Sequence, residues 1–129
     1  PNAAEASQIV GFEIKDKEDA KRAALPFLRM GIEVFGLTMG AAGLLLATQR
    51  EMIFASPPKV HVRNAAGSGD SLLAGMIYAY MQGMDLLETA RWGVAAGTAS
   101  VETEGVSEFE ISRIQALLKD VKSEVINVM

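Results

Sequence analysis

Along residues 59–81 the hydrophobic pattern changes its period, and that change constrains the fold more than any other feature of the chain. Lys59-Val60-His61-Val62 alternates as a short strand would, whereas Leu72, Leu73, Met76, Ile77, Tyr80 and Met81 return with helical spacing. Between them lies Asn64-Ala65-Ala66-Gly67-Ser68-Gly69-Asp70-Ser71. Two glycines at such a junction permit backbone conformations closed to other residues and let a ligand approach the main chain. The first-turn amides of the helix that follows have no acceptors inside it, so the junction can hold an anion. Asp70 needs a separate reason. An anion site gains nothing from a carboxylate, whereas phosphoryl transfer needs a base near the attacking hydroxyl. The plainer alternative is that Asp70 only complements the helix dipole. The motif alone leaves both readings open.

The rest of the chain alternates between the same two patterns. Residues 3–10 form a candidate helix ending at Gly11. Asp16 can cap a second, which Gly31 stops and which Pro26 should kink or divide at Leu25. Residues 32–38 read as a buried strand, Gly40-Ala41-Ala42-Gly43 as a tight turn, and residues 44–48 and 51–55 as further strands. Pro57-Pro58 resets the chain before the strand at 60–62. Beyond the junction helix, Gly83 is a stop and Asp85-Leu86-Leu87-Glu88 a capping box. The helix it opens runs through Trp92 and Ala95, Ala96, Gly97 and Ala99 to Gly105. Residues 107–110 offer a second box, ahead of a face made by Ile111, Ile114, Leu117, Leu118 and Val121. Val125, Ile126 and Val128 suggest a last strand. Helices alternating with apolar strands predict an α/β layered domain.

Composition narrows the function classes. A chain of 129 residues, half hydrophobic and 22% charged, can bury a sizeable core as one domain or part of one. A net charge of −4 with no basic stripe argues against nucleic acid as a partner. It leaves phosphorylated small molecules open, since a local nest of amides can overcome a mildly unfavourable field. The absence of cysteine excludes disulfides and thiolate metal sites and accords with a cytoplasmic location. No signal-peptide pattern is present, and the uncharged stretches at 34–49 and 71–84 fall short of a membrane span. A Gly-x-Gly-Asp sequence can also suggest an intramembrane aspartyl protease. The short flanks and the lack of a second aspartate in an apolar span exclude that reading.

Two further motifs are individually ambiguous. Thr38-Met39-Gly40-Ala41-Ala42-Gly43 follows a strand, where an open α/β sheet leaves room for a ligand, but it also suits an ordinary turn. Asn2-Ala3-Ala4-Glu5 puts an amide and a carboxylate on one face of a helical turn, suited to water or magnesium near phosphates. The same spacing suits a helix cap with Glu5 at its third position.

Taken together and in order, Pro1-Asn2-x-x-Glu5, Thr38-x-Gly40-x-x-Gly43 and Asn64-x-x-Gly67-Ser68-Gly69-Asp70 resemble the C-terminal half of a ribokinase-like (PfkB) carbohydrate kinase. The similarity extends over essentially residues 1–129. It is nearest to the phosphosugar branch, the 1-phosphofructokinases and tagatose-6-phosphate kinases, to which Ala95-Ala96-Gly97-Thr98-Ala99-Ser100 also points. The resemblance implies the C-terminal part of a three-layer α/β/α fold. It further implies ATP as phosphate donor, a phosphosugar as acceptor, Mg2+ as cofactor, and a homodimer of the longer protein.

It also implies roles for particular residues. Asp70 would take the proton from the acceptor hydroxyl, while the amides of Ala66, Gly67, Ser68 and Gly69 stabilise charge on the transferring phosphoryl group. Thr38, Gly40 and Gly43 would line the ATP site, Gly97 would lie against the adenine, and Asn2 and Glu5 would organise magnesium through water. Ribokinase has an aspartate where this chain has Asn64 and a threonine where it has Ala66, both of which help hold potassium. A strong monovalent-cation site is therefore not expected here. Val94 stands where ribokinase has an adenine-contacting asparagine, so recognition there should be apolar and through the backbone.

Family members are more than twice as long and carry their lid and sugar contacts elsewhere. The chain is thus expected to be a fragment, inactive as a kinase by itself. A phosphate- or nucleotide-binding module without chemistry is the alternative, and the retained Asp70 argues against it. His61 reads as structural, and Trp92 and the helically spaced methionines as core or an exposed former interface; Arg63 and Arg91 could touch phosphate, with solvated surface as their default.

Overall fold

The computed structural model describes residues 1–63, 67–102 and 110–127. In chain order the elements are α1 (Ala3–Val10), α2 (Lys17–Arg29), β1 (Phe35–Thr38), a 3-10 turn (Gly40–Ala42), β2 (Leu44–Ala47) and β3 (Glu51–Ser56). There follow α3 (Ser68–Met81), α4 (Leu86–Val101), α5 (Ile111–Leu118) and β4 (Lys122–Asn127). The strands form a sheet ordered β1-β2-β3-β4. β1 and β2 run antiparallel, with Phe35 opposite Ala47 and Thr38 opposite Leu44. The chain divides into two compact units, Pro1–Phe54 with Glu124–Met129, and Ala55–Ser123.

In the first unit α2 presents Ala20, Ala23, Ala24, Phe27 and Leu28 as one buried stripe, at the i, i+3, i+4, i+7, i+8 spacing of an amphipathic helix. These pack with Phe35, Leu37, Leu45 and Ala47 from β1 and β2 and with Ala6 and Ile14. The Phe27 and Phe35 rings stack with centroids 4.3 Å apart. Leu44 and Leu46, on the opposite face of β2, are buried too, as expected of an interior strand. The turn into β3 is tied by the Thr48 N–H, which donates to the Glu51 carbonyl at 2.8 Å, while Thr48 Oγ1 accepts from the Arg50 and Glu51 amides.

The second unit is built on α3, α4 and α5. α4 is buried almost throughout its length from Thr89 to Thr98. Trp92 meets the Tyr78 ring of α3 at 5.0 Å, and α5 adds Ile114 and Leu117. The Arg91 guanidinium donates to the Leu118 carbonyl at the end of α5 (2.8 Å), a favourable place for a cation.

Several expectations are corrected. Pro26 does not divide its helix, and α2 is a single helix to Arg29. Pro26 and Arg22 are both exposed, so water can reach the Arg22 carbonyl that loses its partner. The first strand begins at Phe35 rather than 32, because the intervening residues leave the helix. The Gly31 and Ile32 amides donate back to the Leu28 and Phe27 carbonyls.

Residues 59–62 form no strand. Pro57 and Pro58 remove two donors, His61 and Val62 are exposed, and the Arg63 N–H bonds instead to the Val101 carbonyl at 2.7 Å. The box at Asp85 is half formed. Asp85 Oδ1 accepts from the Glu88 amide (2.8 Å), but the Glu88 carboxylate turns to Arg91 (2.7 Å). α4 ends at Val101, short of Gly105, and Glu110 is the N-cap of α5 rather than its third residue, without a side-chain cap bond. Gly105, Ser107 and Val128 lie outside the described residues.

Candidate functional site

In the first unit the chain's first residues run alongside the end of β1. The Thr38 amide donates to the Pro1 carbonyl at 3.0 Å, and Asn2 forms a one-residue parallel bridge with Thr38. Asn2 then caps α1. Its Oδ1 accepts from the Glu5 amide (2.8 Å), and the Asn2 amide donates to Glu5 Oε1 (3.0 Å), a reciprocal capping box. The capping alternative for Asn2 and Glu5 is therefore what the side chains do in this structure. The carboxylate remains exposed, and its Oε2 has no partner among the described residues.

Beyond Thr38 the chain folds into a closed turn. The Met39 N–H donates to the Gly43 carbonyl (2.8 Å), that of Ala42 to Met39 (3.0 Å) and that of Gly43 to Gly40 (3.1 Å). Gly40 at φ 55 and Gly43 at φ 120 adopt angles that side chains resist. Residues 40–42 are exposed at the carboxyl end of β1, where α/β sheets offer ligand room. Asn2, Glu5, Thr38, Gly40 and Gly43 thus gather at one end of this strand.

In the second unit Gly67 is the N-cap of α3, at φ 79 and ψ 2, followed by Ser68, Gly69 and Asp70 as its first turn. The first helical bond is Ser71 N–H to Gly67 carbonyl (3.0 Å), so the amides of residues 68–70 precede any intrahelical partner. Among the described residues, a Cβ built on Gly67 or Gly69 would meet nothing within 4 Å apart from the adjoining chain, so these two positions face open space. Asp70 is exposed, and its carboxylate has no ion-pair or hydrogen-bond partner among the described residues. Among the described residues the turn therefore combines unengaged donors, access and an unpartnered carboxylate, the groups that charge stabilisation and proton acceptance call for. Ala66, whose amide was expected to join this group, lies outside the described residues, as does Asn64.

The pfkB family carbohydrate kinase pattern matches residues 1–113. The chain belongs to the pfkB family. Among its family relatives, the 1-phosphofructokinase of Rhodobacter capsulatus is 31% identical over 121 residues, covering 94% of this chain and 38% of that protein. Phosphofructokinase-2 from Escherichia coli, solved in complex with substrates and products, superposes with a TM-score of 0.84 at 27% identity, over 93% of this chain and 39% of that one. Arabidopsis thaliana ribokinase, complexed with ribose and ATP, gives 0.84 at 26%, over 92% and 39%. The α/β fold is that of the ribokinase-like kinases. The chain spans about two-fifths of the length of these pfkB relatives.

Sequence reasoning missed how this family member packs around the α3 turn. Gly97 is buried, and a Cβ there would lie 3.3 Å from the Ser68 carbonyl oxygen and 3.4 Å from Leu72 Cβ. Gly93, one turn earlier in α4, faces Met76 and the Leu72 carbonyl, and Gly75 of α3 faces Ala96 and the Trp92 carbonyl. The i, i+4 pair Gly93 and Gly97 was the available signal, because two glycines on one helical face mark a close backbone approach. Among the described residues no group of three or more metal-ligating side chains is arranged to hold an ion, and no helix is long and apolar enough to cross a membrane.

Proposed function

We propose that residues 1–129 form the nucleotide-binding and catalytic portion of an ATP-dependent phosphosugar kinase, a 1-phosphofructokinase converting fructose 1-phosphate to fructose 1,6-bisphosphate. Tagatose 6-phosphate is the competing acceptor. The observation that carries the reading is the free, exposed Asp70 carboxylate in a first helical turn whose amides precede the hydrogen-bond ladder. A phosphate-binding module would have use for the amides and none for the carboxylate.

Asp70 takes the proton of the acceptor hydroxyl as its oxygen attacks the γ-phosphorus. The new O–P bond forms as the bond to the β-phosphate oxygen breaks and ADP departs. The amides of Gly67, Ser68 and Gly69, with that of Ala66, meet the negative charge on the transferring group. Thr38, Gly40 and Gly43 contribute the nucleotide side, supported by the exposure of Gly40 at a strand end, between half-buried Thr38 and buried Gly43. Asn2 and Glu5 fit magnesium held through water rather than directly. Asn2 Oδ1 and Glu5 Oε1 are already engaged in the α1 cap, whereas Glu5 Oε2, without a partner among the described residues, can bind a metal-bound water. When bound, magnesium would supply neutralisation of phosphate charge.

Replacing Asp70 by Asn in the full-length enzyme keeps size and removes the base. Turnover should fall by about a thousandfold, with ATP affinity within a few-fold of the parent. Steady-state kinetics with fructose 1-phosphate and tagatose 6-phosphate, alongside ATP binding by calorimetry, provide the check. Turnover surviving within a few-fold would falsify the assignment of Asp70.

A further inference from the structure

Gly97 stands beneath the first turn of α3 with no room to spare. A methyl group there would sit 3.3 Å from the Ser68 carbonyl oxygen and 3.4 Å from Leu72 Cβ, distances that require a neighbour to give by a few tenths of an ångström. The neighbour at Ser68 is backbone, so it yields only by moving the turn. The Ser68 carbonyl and the Gly69 N–H are the two ends of one planar peptide unit. Pressure on that oxygen is therefore transmitted directly to the Gly69 amide, and through the same turn to Asp70.

Gly93 makes an informative contrast. Its missing methyl would meet the Met76 Cγ at 2.6 Å, a flexible side chain, and the Leu72 carbonyl oxygen at 3.3 Å. The amide sharing that peptide plane belongs to Leu73, inside α3, where an N–H is engaged in the helix ladder rather than directed at a ligand. Two glycines of one helix thus leave room only for hydrogen beneath two successive turns of α3, and one of those turns carries the free donors.

We propose that Gly97 is a positioning residue: by lying flush against the Ser68 carbonyl it sets the place of the Gly69 amide and the Asp70 carboxylate for phosphoryl transfer. The proposal rests on the phosphoryl-transfer reading of that turn. It gives Gly97 a role through the α3 backbone rather than through contact with a nucleotide base.

The test compares Gly97→Ala and Gly93→Ala in the full-length enzyme by kinetics, thermal melting and amide NMR. Misplacing a reacting or stabilising group by about 1 Å can cost about a hundredfold, so a shift of tenths should lower kcat by about tenfold in Gly97→Ala. KM for ATP should stay within about threefold, and Gly93→Ala should keep kcat within about threefold for a comparable loss of melting temperature. The Gly69 amide resonance should move in Gly97→Ala alone.

A raised KM for ATP at unchanged kcat would assign Gly97 to the adenine and overturn the proposal. Equal kcat losses in the two variants would make it helix packing only, and an unmoved Gly69 amide would remove the coupling. Should Gly97→Ala fail to fold, Leu72→Ala with and without it carries the same comparison in a looser seam. If the unaltered enzyme transfers no phosphoryl group, the kinase reading fails, and the Gly69 shift still decides whether Gly97 holds the turn.

Discussion

Glu5 carries two assignments that one substitution separates. In α1 its carboxylate closes a capping box with Asn2, and in the proposed reaction its second oxygen holds a metal-bound water. Gln keeps the carbonyl oxygen that accepts the Asn2 amide and is itself a common third residue of such boxes. Glu5→Gln should therefore leave stability within about 0.5 kcal/mol, the range of neutral surface changes. It should raise the magnesium concentration needed for half-maximal turnover by severalfold. A melting curve and a magnesium titration of the full-length enzyme read the two effects independently, and a magnesium requirement that did not move would leave Glu5 as a cap alone. Asp70 is a simpler residue, since no side chain among the described residues competes for its carboxylate.

At the scale of elements, one ion pair links α2 to the last strand. The Lys17 ammonium donates to the Glu124 carboxylate at 2.6 Å and lies 5.8 Å from the Phe54 ring centroid. That hydrogen bond, followed by the attraction of the opposite charge, lowers the Glu124 pKa. The same bond raises that of Lys17, against a smaller opposing effect of burial. A lowered carboxylate pKa stabilises the fold above its unfolded value and loses that contribution as pH falls through the folded one. A raised lysine pKa contributes fully below its unfolded value, and that contribution is lost as pH rises through the folded one. The docking of β4 should accordingly hold on a plateau from roughly pH 5 to 10 and weaken on both sides. Protection of the β4 amides, taken as exchange relative to an unstructured peptide at the same pH, should fall below about pH 4 and in Glu124→Gln at neutral pH, with half-molar salt narrowing the difference. Protection in the parent that did not change with acid would show that the pair contributes nothing.

The elements most legible in the sequence are those announced by local chemistry. Asn2, Asp16 and Asp85 all cap helices, and Gly11, Gly31 and Gly83 all take positive φ at helix exits. What eluded the sequence was competition between partners. Glu88 could close a box or pair with Arg91, and only the fold decides for Arg91, because Leu118 already holds the guanidinium nearby. The alternation at residues 59–62 signalled a strand, yet a strand needs a neighbour, which no local pattern encodes. The candidate residues were marked in the sequence by three motifs in order. That Asn2 is bridged to Thr38, and that Gly97 abuts Ser68, depended on contacts between residues far apart in the chain.

Considered whole, residues 1–129 leave one helix underdressed. Beyond its first turn α3 is apolar on every side, but Leu73, Ile77, Tyr80 and Met81 are at least half exposed, with Tyr80 at 78%. Contiguous apolar surface of that kind drives association in water. Residues 1–129 made alone should sediment as concentration-dependent oligomers, and Tyr80→Lys with Met81→Lys should shift them toward monomer. The same preparation should show no measurable phosphotransfer to fructose 1-phosphate, since it spans about two-fifths of its relatives. A well-behaved, active monomer would contradict both expectations. Activity restored in the full-length chain would tie the missing chemistry to the remainder.

The backbone of Gly67 carries a consequence of handedness. At φ 79 and ψ 2 this residue occupies the region natural for a mirror-image amino acid, and glycine reaches it because it is achiral. An enzyme assembled by chemical ligation with D-alanine at position 67 would enter the turn without torsional penalty, while its unfolded chain would have fewer conformations to lose. Ribosomal chemistry, confined to one enantiomer, has only glycine for such a corner at no steric cost.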